Sequence, residues 1–232
     1  METFRPERQG RYRPKVPKRI PRRIPDELFN ALFAALKYNR DRALLAFWVS
    51  TGARAEELLT SRVRDISPGQ QLIGVVRKGT RAYQQILAST DAFVWLRLAQ
   101  EEAWRKGAPR GRNYSLWWTL RRPWRPLNYH AARAMLNRAN DLLGSNWTLH
   151  DLRHTAAYRM AHDPQMSLTD VQWVLGHAHL STTEIYLAAS QEEVIEQVFA
   201  HHARRAQQPA KPPAPAPGYN PASLNTLFGG LP

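Results

Sequence analysis

Two stretches decide how this chain reads: Leu149-His150-Asp151-Leu152-Arg153-His154-Thr155, and Leu175-Gly176-His177 with Tyr186 downstream. His150 and Arg153 stand three residues apart, so a helix through them places an imidazole and a guanidinium on one face. The later segment adds a second imidazole and a phenol within a stretch dense in Ser and Thr. Imidazole, guanidinium and phenol are the groups needed to move a phosphoryl group between oxygens.

Charge points to the partner. Against 19 Asp and Glu the chain carries 33 Lys and Arg, a formal net charge of +14 over 232 residues. Such an excess is the footprint of a polyanion, usually nucleic acid. Hydrophobic content of 43% is that of a globular protein with room for one good-sized core. No apolar run approaches the ~20 residues that span a bilayer. With no cysteine there is neither a disulfide framework nor a thiolate metal site. The expectation is a cytoplasmic protein without a membrane partner.

Organisation follows from the punctuation. Residues 1–24 hold nine basic side chains and four prolines, and read as an extended arm or linker along a phosphate backbone. Its candidate DNA contacts are Arg11, Arg13, Lys15, Lys18, Arg19, Arg22 and Arg23. From Pro25 helical periodicity sets in, through Leu28, Leu32 and Leu36, then from Asp41 to Ser50, where Thr51-Gly52 stops it. A third helix starts near Arg54. Leu72–Val76 and Tyr83–Leu87 read as two strands of a hairpin, joined by a turn that contains Lys78-Gly79-Thr80, with Lys78 at or near its tip. Longer helices run from Thr90 to Gly107 and from Asn128 to Leu143. The helix of His150 and Arg153 reaches about Asp163, Ser167 caps a short one, and Ser181 caps another that holds Tyr186. Ser190 opens a last helix, with Val194, Ile195, Val198 and Phe199, before a Pro-rich tail. Between them Arg121, Arg122 and Arg125 flank Trp124, a pattern suited to backbone contact plus stacking on DNA, or to a loop whose Trp packs inward.

The boxes themselves are specific when taken together. Thr51-Gly52-Ala53-Arg54-Ala55-Glu56-Glu57-Leu58 resembles the first arginine box of the tyrosine recombinases, the phage-integrase family. Lys78 in Arg77-Lys78-Gly79 resembles that family's hairpin lysine, His150–Thr155 its H-x-x-R box, Leu175-Gly176-His177 its L-G-H box, and Tyr186 its nucleophile. The resemblance runs from about Pro25 to Ala203. It implies an α+β, mostly helical catalytic domain (25–203) with a small antiparallel sheet, between the arm (1–24) and a disordered tail (204–232).

Without the name the set still makes chemical sense. Arg54 and Arg153 can clamp the non-bridging oxygens of a phosphodiester under attack. Tyr186 attacks, and the phosphotyrosyl bond conserves the linkage energy, so neither ATP nor another cofactor is required. The resemblance gives His150 the base role, His177 a hydrogen bond to the phosphate, and Lys78 the protonation of the departing 5′ oxygen. Glu57, three residues after Arg54, orients active-site groups. The i, i+4 pair His150 and His154 has zinc-ligand spacing, but Arg153 stands between them and no cysteine exists, so no metal is expected. His154 is taken as structural or supporting.

Two departures stand out. Arg77 and Thr80-Arg81 occupy places where the family commonly has Gly and Asn-Lys. The arm is also too short for the family's N-terminal core-binding domain, which implies a catalytic-domain fragment or a compact form helped by an accessory protein. The function expected is cutting and rejoining of double-stranded DNA by a site-specific recombinase or integrase, self-assembled on DNA as a dimer or tetramer. Rival readings are type IB topoisomerase-like relaxation and a DNA-binding regulator or inactive fragment.

Overall fold

Helix α2 (Asn39–Thr51) is apolar all round through its middle, residues 43–49, where Leu44, Leu45, Phe47 and Trp48 are each 0% exposed. A helix of that kind has to be enclosed by others. In the computed structural model, which describes residues 21–187 and 191–207, it lies against α4 (Thr90–Arg105) and α6 (Leu149–Ala161). Phe47 meets Phe93 edge-on at 5.1 Å and Trp117 at 5.7 Å between ring centroids. Helix α1 (Asp26–Ala35) packs on α5 (Tyr129–Leu143), and α3 (Ala55–Leu59) follows α2 after a sharp turn.

The expected hairpin forms. Strands β2 (Leu72–Val76) and β3 (Tyr83–Leu87) pair antiparallel with Ile73 opposite Ile86 and Val76 opposite Tyr83. Ile73, Val75 and Ile86 face the core. The sequence did not mark β1 (Ile66–Ser67), which extends the sheet to the order β1-β2-β3. Two residues are too few to show a period. Leu116-Trp117-Trp118 forms no regular element: single bridges pair Ser115 with Arg62 and Trp118 with Pro126, while Trp117 Nε1 donates to Leu58 O at 2.8 Å.

Most caps lie where expected. Asn128 accepts from Ala131 N at 2.8 Å to open α5, and Gly144 closes it in the left-handed region at φ 62°. Ser167 and Asp170 form a reciprocal box at the start of α7 (Leu168–Leu175). One expectation fails. Helix α8 spans Leu180–Glu184 with His179 as its N-cap, so Ser181 lies inside it and Tyr186 lies beyond its end. Tight i→i−3 bonds, Tyr186 N to Thr183 O at 3.0 Å and Leu187 N to Glu184 O at 3.0 Å, close the helix early.

The packed body also begins before Pro25. Ile24 is 2% exposed in the main core and its N–H donates to Thr155 Oγ1 at 2.9 Å. Arg22 donates to Asp151 Oδ2 at 2.6 Å and to Asn146 Oδ1 at 2.6 Å, and the Arg23 guanidinium lies 4.0 Å over the Tyr158 ring. These two arginines of the expected DNA arm are therefore docked on the protein itself, because a carboxylate and an aromatic face of α6 lie within reach. Arg11, Arg13, Lys15, Lys18 and Arg19 lie outside the described residues, as do Ser190 and the tail from 208.

The chain divides into two units at Ala188 and Ala189. The second contains α9 (Gln191–Gln207), so residues 204–207, assigned to the tail by sequence, are helical. Among the described residues no helix is long and apolar enough to cross a membrane.

Candidate active site

The turn Thr51-Gly52-Ala53-Arg54 is built by local rules. Thr51 Oγ1 donates to Phe47 O at 2.6 Å and accepts from Ala53 N at 3.1 Å, which ends α2 and redirects the chain. Gly52 takes φ 62°, and a Cβ there would sit 2.6 Å from Leu175 Cδ2. Glycine is needed on both counts. The carbonyl this turn exposes accepts from Arg153 Nη1 at 2.5 Å.

Arg153 is 3% exposed. Its Nη2 donates to Leu175 O at 2.8 Å and approaches His177 Nε2 at 2.9 Å. One guanidinium thus joins the first arginine box to the L-G-H turn. Arginine only donates, so His177 Nε2 accepts, and its Nδ1–H donates to Thr183 Oγ1 at 2.9 Å. Burial, with Arg153 and Arg54 nearby, holds His177 down at about 4, and the ring is neutral at pH 7. Burial and the neighbouring Arg54 also pull Arg153 down to about 10, still cationic at neutral pH.

Glu57, 2% exposed, gathers the other end of the site. Its carboxylate accepts from Arg54 N at 3.0 Å, Arg54 Nη1 at 2.9 Å, Lys78 N at 3.0 Å and Arg77 Nη1 at 3.1 Å. Burial alone would raise this carboxyl, but the hydrogen bonds from Lys78 and Arg54 outweigh it and hold it below the usual range. Arg77, read from sequence only as a departure at the hairpin, is the unforeseen member. The parity of Ile73 and Val75 places position 77 on the same inward face, a signal that was present in the strand pattern.

Thr148 and Asp151 form the capping box of α6, with Thr148 N to Asp151 Oδ2 at 2.8 Å. That fixes the first turn, on which His150 stands. Arg54, Lys78, His150 and Arg153 line one cleft of about 480 Å³, together with Glu56 and Tyr129. Lys78 Nζ lies 3.6 Å from Glu56 Oε2 on an open surface, its side chain 71% exposed.

Tyr186 is 5% exposed and packs with Ala157, Val171 and Leu175 in a second small core. Its hydroxyl lies 2.8 Å from His154 Nδ1, and its ring is parallel to that of His177 at 6.3 Å. His154, taken from sequence as structural, is therefore the side chain that holds the phenol, and its ring is 4.2 Å from that of His150. Burial and then His150 push His154 down to about 4. The Tyr186 phenol is pushed up by burial, against the pull of Arg153 and Arg54. Burial, reinforced by the Arg153 charge, lowers His150 as well.

The second basic cluster stands apart from this cleft. Arg121, Arg122 and Arg125 are exposed on the loop before α5, Arg122 donating to Lys106 O at 3.3 Å, while Trp124 is half-buried. Among the described residues no group of His, Asp and Glu is arranged to hold a metal ion.

Comparison with known proteins bears on the fold and the family. The chain is 29% identical over 177 residues to tyrosine recombinase XerC of Corynebacterium efficiens, a match covering 72% of this chain and 52% of that one. It thus spans about half the length of that relative. Among solved structures, the XerH site-specific recombinase bound to a palindromic difH substrate in a post-cleavage complex gives a TM-score of 0.64 at 21% identity, covering 79% of this chain and 54% of that one. The catalytic domain of bacteriophage HP1 integrase gives 0.52 at 16% identity, covering 81% and 99%. The phage integrase family model matches residues 22–193, and the chain belongs to that family.

Proposed function

We propose that the chain cuts and rejoins double-stranded DNA as a site-specific recombinase or integrase, through a 3′-phosphotyrosyl intermediate and without metal or ATP. The observation that carries this reading is the convergence of Arg54, Lys78, His150 and Arg153 on one cleft, with Arg153 tied through His177 to the region of Tyr186. In this scheme Arg54 and Arg153 hold the non-bridging oxygens as charge builds on them. Tyr186 Oη attacks phosphorus and the bond to the 5′ oxygen breaks; Lys78 Nζ gives that oxygen its proton. The phenol proton passes first to His154 Nδ1, the nitrogen 2.8 Å away, with His150 beside it. His154 is held neutral at pH 7, free to accept. Rejoining is the same sequence reversed, so the bond energy is kept and no nucleotide is consumed.

The relatives support the substrate class: XerC is named a tyrosine recombinase, and XerH was captured on its difH substrate after cleavage. Assembly on DNA as a dimer or tetramer belongs to the same reading, supported by the exposed apolar Ile195, Val198 and Phe199 on α9. The test is covalent trapping. A pool of nicked suicide duplexes with randomised sequence around the nick is incubated with the wild-type chain and with Tyr186→Phe. A denaturant-resistant protein–DNA adduct is expected for the wild type alone. Absence of adduct across the pool, or an adduct that survives Tyr186→Phe, removes the reading.

A further inference from the structure

We propose that Arg77 is a positioning residue that fixes the root of Lys78 and ties the lysine hairpin to the turn carrying His177. The proposal rests on the cleavage reading above and assigns a role in it to a side chain that the arginine, H-x-x-R and L-G-H boxes do not include.

Arg77 is 4% exposed and spans three elements. Its Nη1 donates to Glu57 Oε2 at 3.1 Å on α3, its Nε donates to Gln84 Oε1 at 2.7 Å on β3, and its Nη2 donates to Val174 O at the end of α7. Gln84 repeats the link, its Nε2 donating to Trp173 O at 3.0 Å. The guanidinium also lies flat against Gly176, where a Cβ would come within 2.9 Å of Nε and 3.1 Å of Cζ. The glycine of the L-G-H turn and Arg77 are thus fitted to each other.

Lys78 shows why such an anchor matters. Its N–H is held by Glu57 Oε1 at 3.0 Å, on the same carboxylate that receives Arg77, whereas its side chain is 71% exposed with a single 3.6 Å approach to Glu56. The backbone root is defined and the ammonium end is left to reach. A proton donor has to arrive within hydrogen-bond distance of the leaving oxygen, and a shift of about 1 Å costs roughly 100-fold in rate. A buried Arg–Glu pair is weak evidence for added stability, since desolvation offsets its attraction. Placement is the better explanation of a buried guanidinium beside a catalytic lysine. Lysine at position 77 would keep the charge but lack the planar fork that bonds in three directions.

The experiment uses one duplex isolated from the wild-type adduct pool, made with either the ordinary 5′ oxygen or a bridging 5′ sulfur at the cut. Sulfur leaves as a thiolate and takes no proton, so a defect confined to proton delivery disappears on that substrate. Arg77→Met and Arg77→Lys are compared with Lys78→Ala in single-turnover cleavage. Both Arg77 variants are expected to lose roughly 10- to 1,000-fold on the oxygen substrate, the methionine more than the lysine, and to come within a few-fold of wild type on sulfur. Wild-type rates on oxygen for both variants, or equal losses on oxygen and sulfur, overturn the proposal. Arg77→Lys keeps Glu57 paired, so a folding failure of Arg77→Met leaves the lysine variant to decide. Should Lys78→Ala itself show no sulfur rescue, the lysine's role falls and that of Arg77 with it, while attack by Tyr186 stands.

Discussion

Arg153 and Lys78 are both cations of the same cleft, yet the fold treats them oppositely. Arg153 is 3% exposed and committed to Gly52 O, Leu175 O and His177. Lys78 has a fixed backbone and a side chain 71% exposed. The difference follows from the work proposed for each. A group that stabilises developing charge acts best when it needs no reorganisation at the moment of reaction. A proton donor has to meet an oxygen whose position depends on the DNA, so only its origin is set.

Breaking the fixed side has the largest expected effect. Arg153→Ala removes the proposed phosphate clamp and strips the Gly52 and Leu175 carbonyls of their donor. Cleavage is expected to fall by about 10³-fold or more, and stability by roughly 3 kcal/mol; single-turnover trapping and denaturant melts check the two. Lys78→Ala should divide those readouts. Its cleavage falls by roughly 10²- to 10⁴-fold, while its melt moves by less than about 0.5 kcal/mol because the side chain is exposed. Equal stability losses for the two variants would erase the contrast.

Acid comes next. His154 and His177 are held near 4, below the ordinary histidine value of 6.5. A folded state that resists protonation loses stability as protons bind the unfolded chain more readily. Their contribution is therefore complete above about pH 6.5 and is lost as pH falls toward 4. Thermal midpoints measured across that window should decline, and His154→Gln should flatten the decline. The smallest effect belongs to Glu56→Gln. That exposed partner of Lys78 contributes little to stability, and its removal should change cleavage by no more than a few-fold in a titration of rate against salt.

Much of this contrast was legible in the sequence. Thr51-Gly52 marked its own turn, because a left-handed residue after an apolar helix calls for glycine, and Ser167 and Asn128 announced their helices. The two hairpin strands showed as β-prone runs, while the pairing of Ile73 with Ile86 came only from the fold. What escaped notice depends on contacts between distant segments. Nothing local in His154 says that Tyr186 lies 2.8 Å away, thirty-two residues on. Arg22 looked like one more arm cation until Asp151 came within 2.6 Å. The inward face of Arg77 was written in the parity of Ile73 and Val75, but its partners on α3 and α7 could come only from the fold. Tyr186 was placed on a helix that stops just before it, since i→i−3 closure leaves no composition signal.

The most direct measurement is to digest the trapped adduct and locate the nucleotide by mass spectrometry. The cleavage scheme predicts a 3′-phosphonucleotide on the peptide containing Tyr186, lost in Tyr186→Phe and greatly reduced in Arg153→Ala. A nucleotide on any other residue, or an adduct yield unchanged by Arg153→Ala, would contradict it.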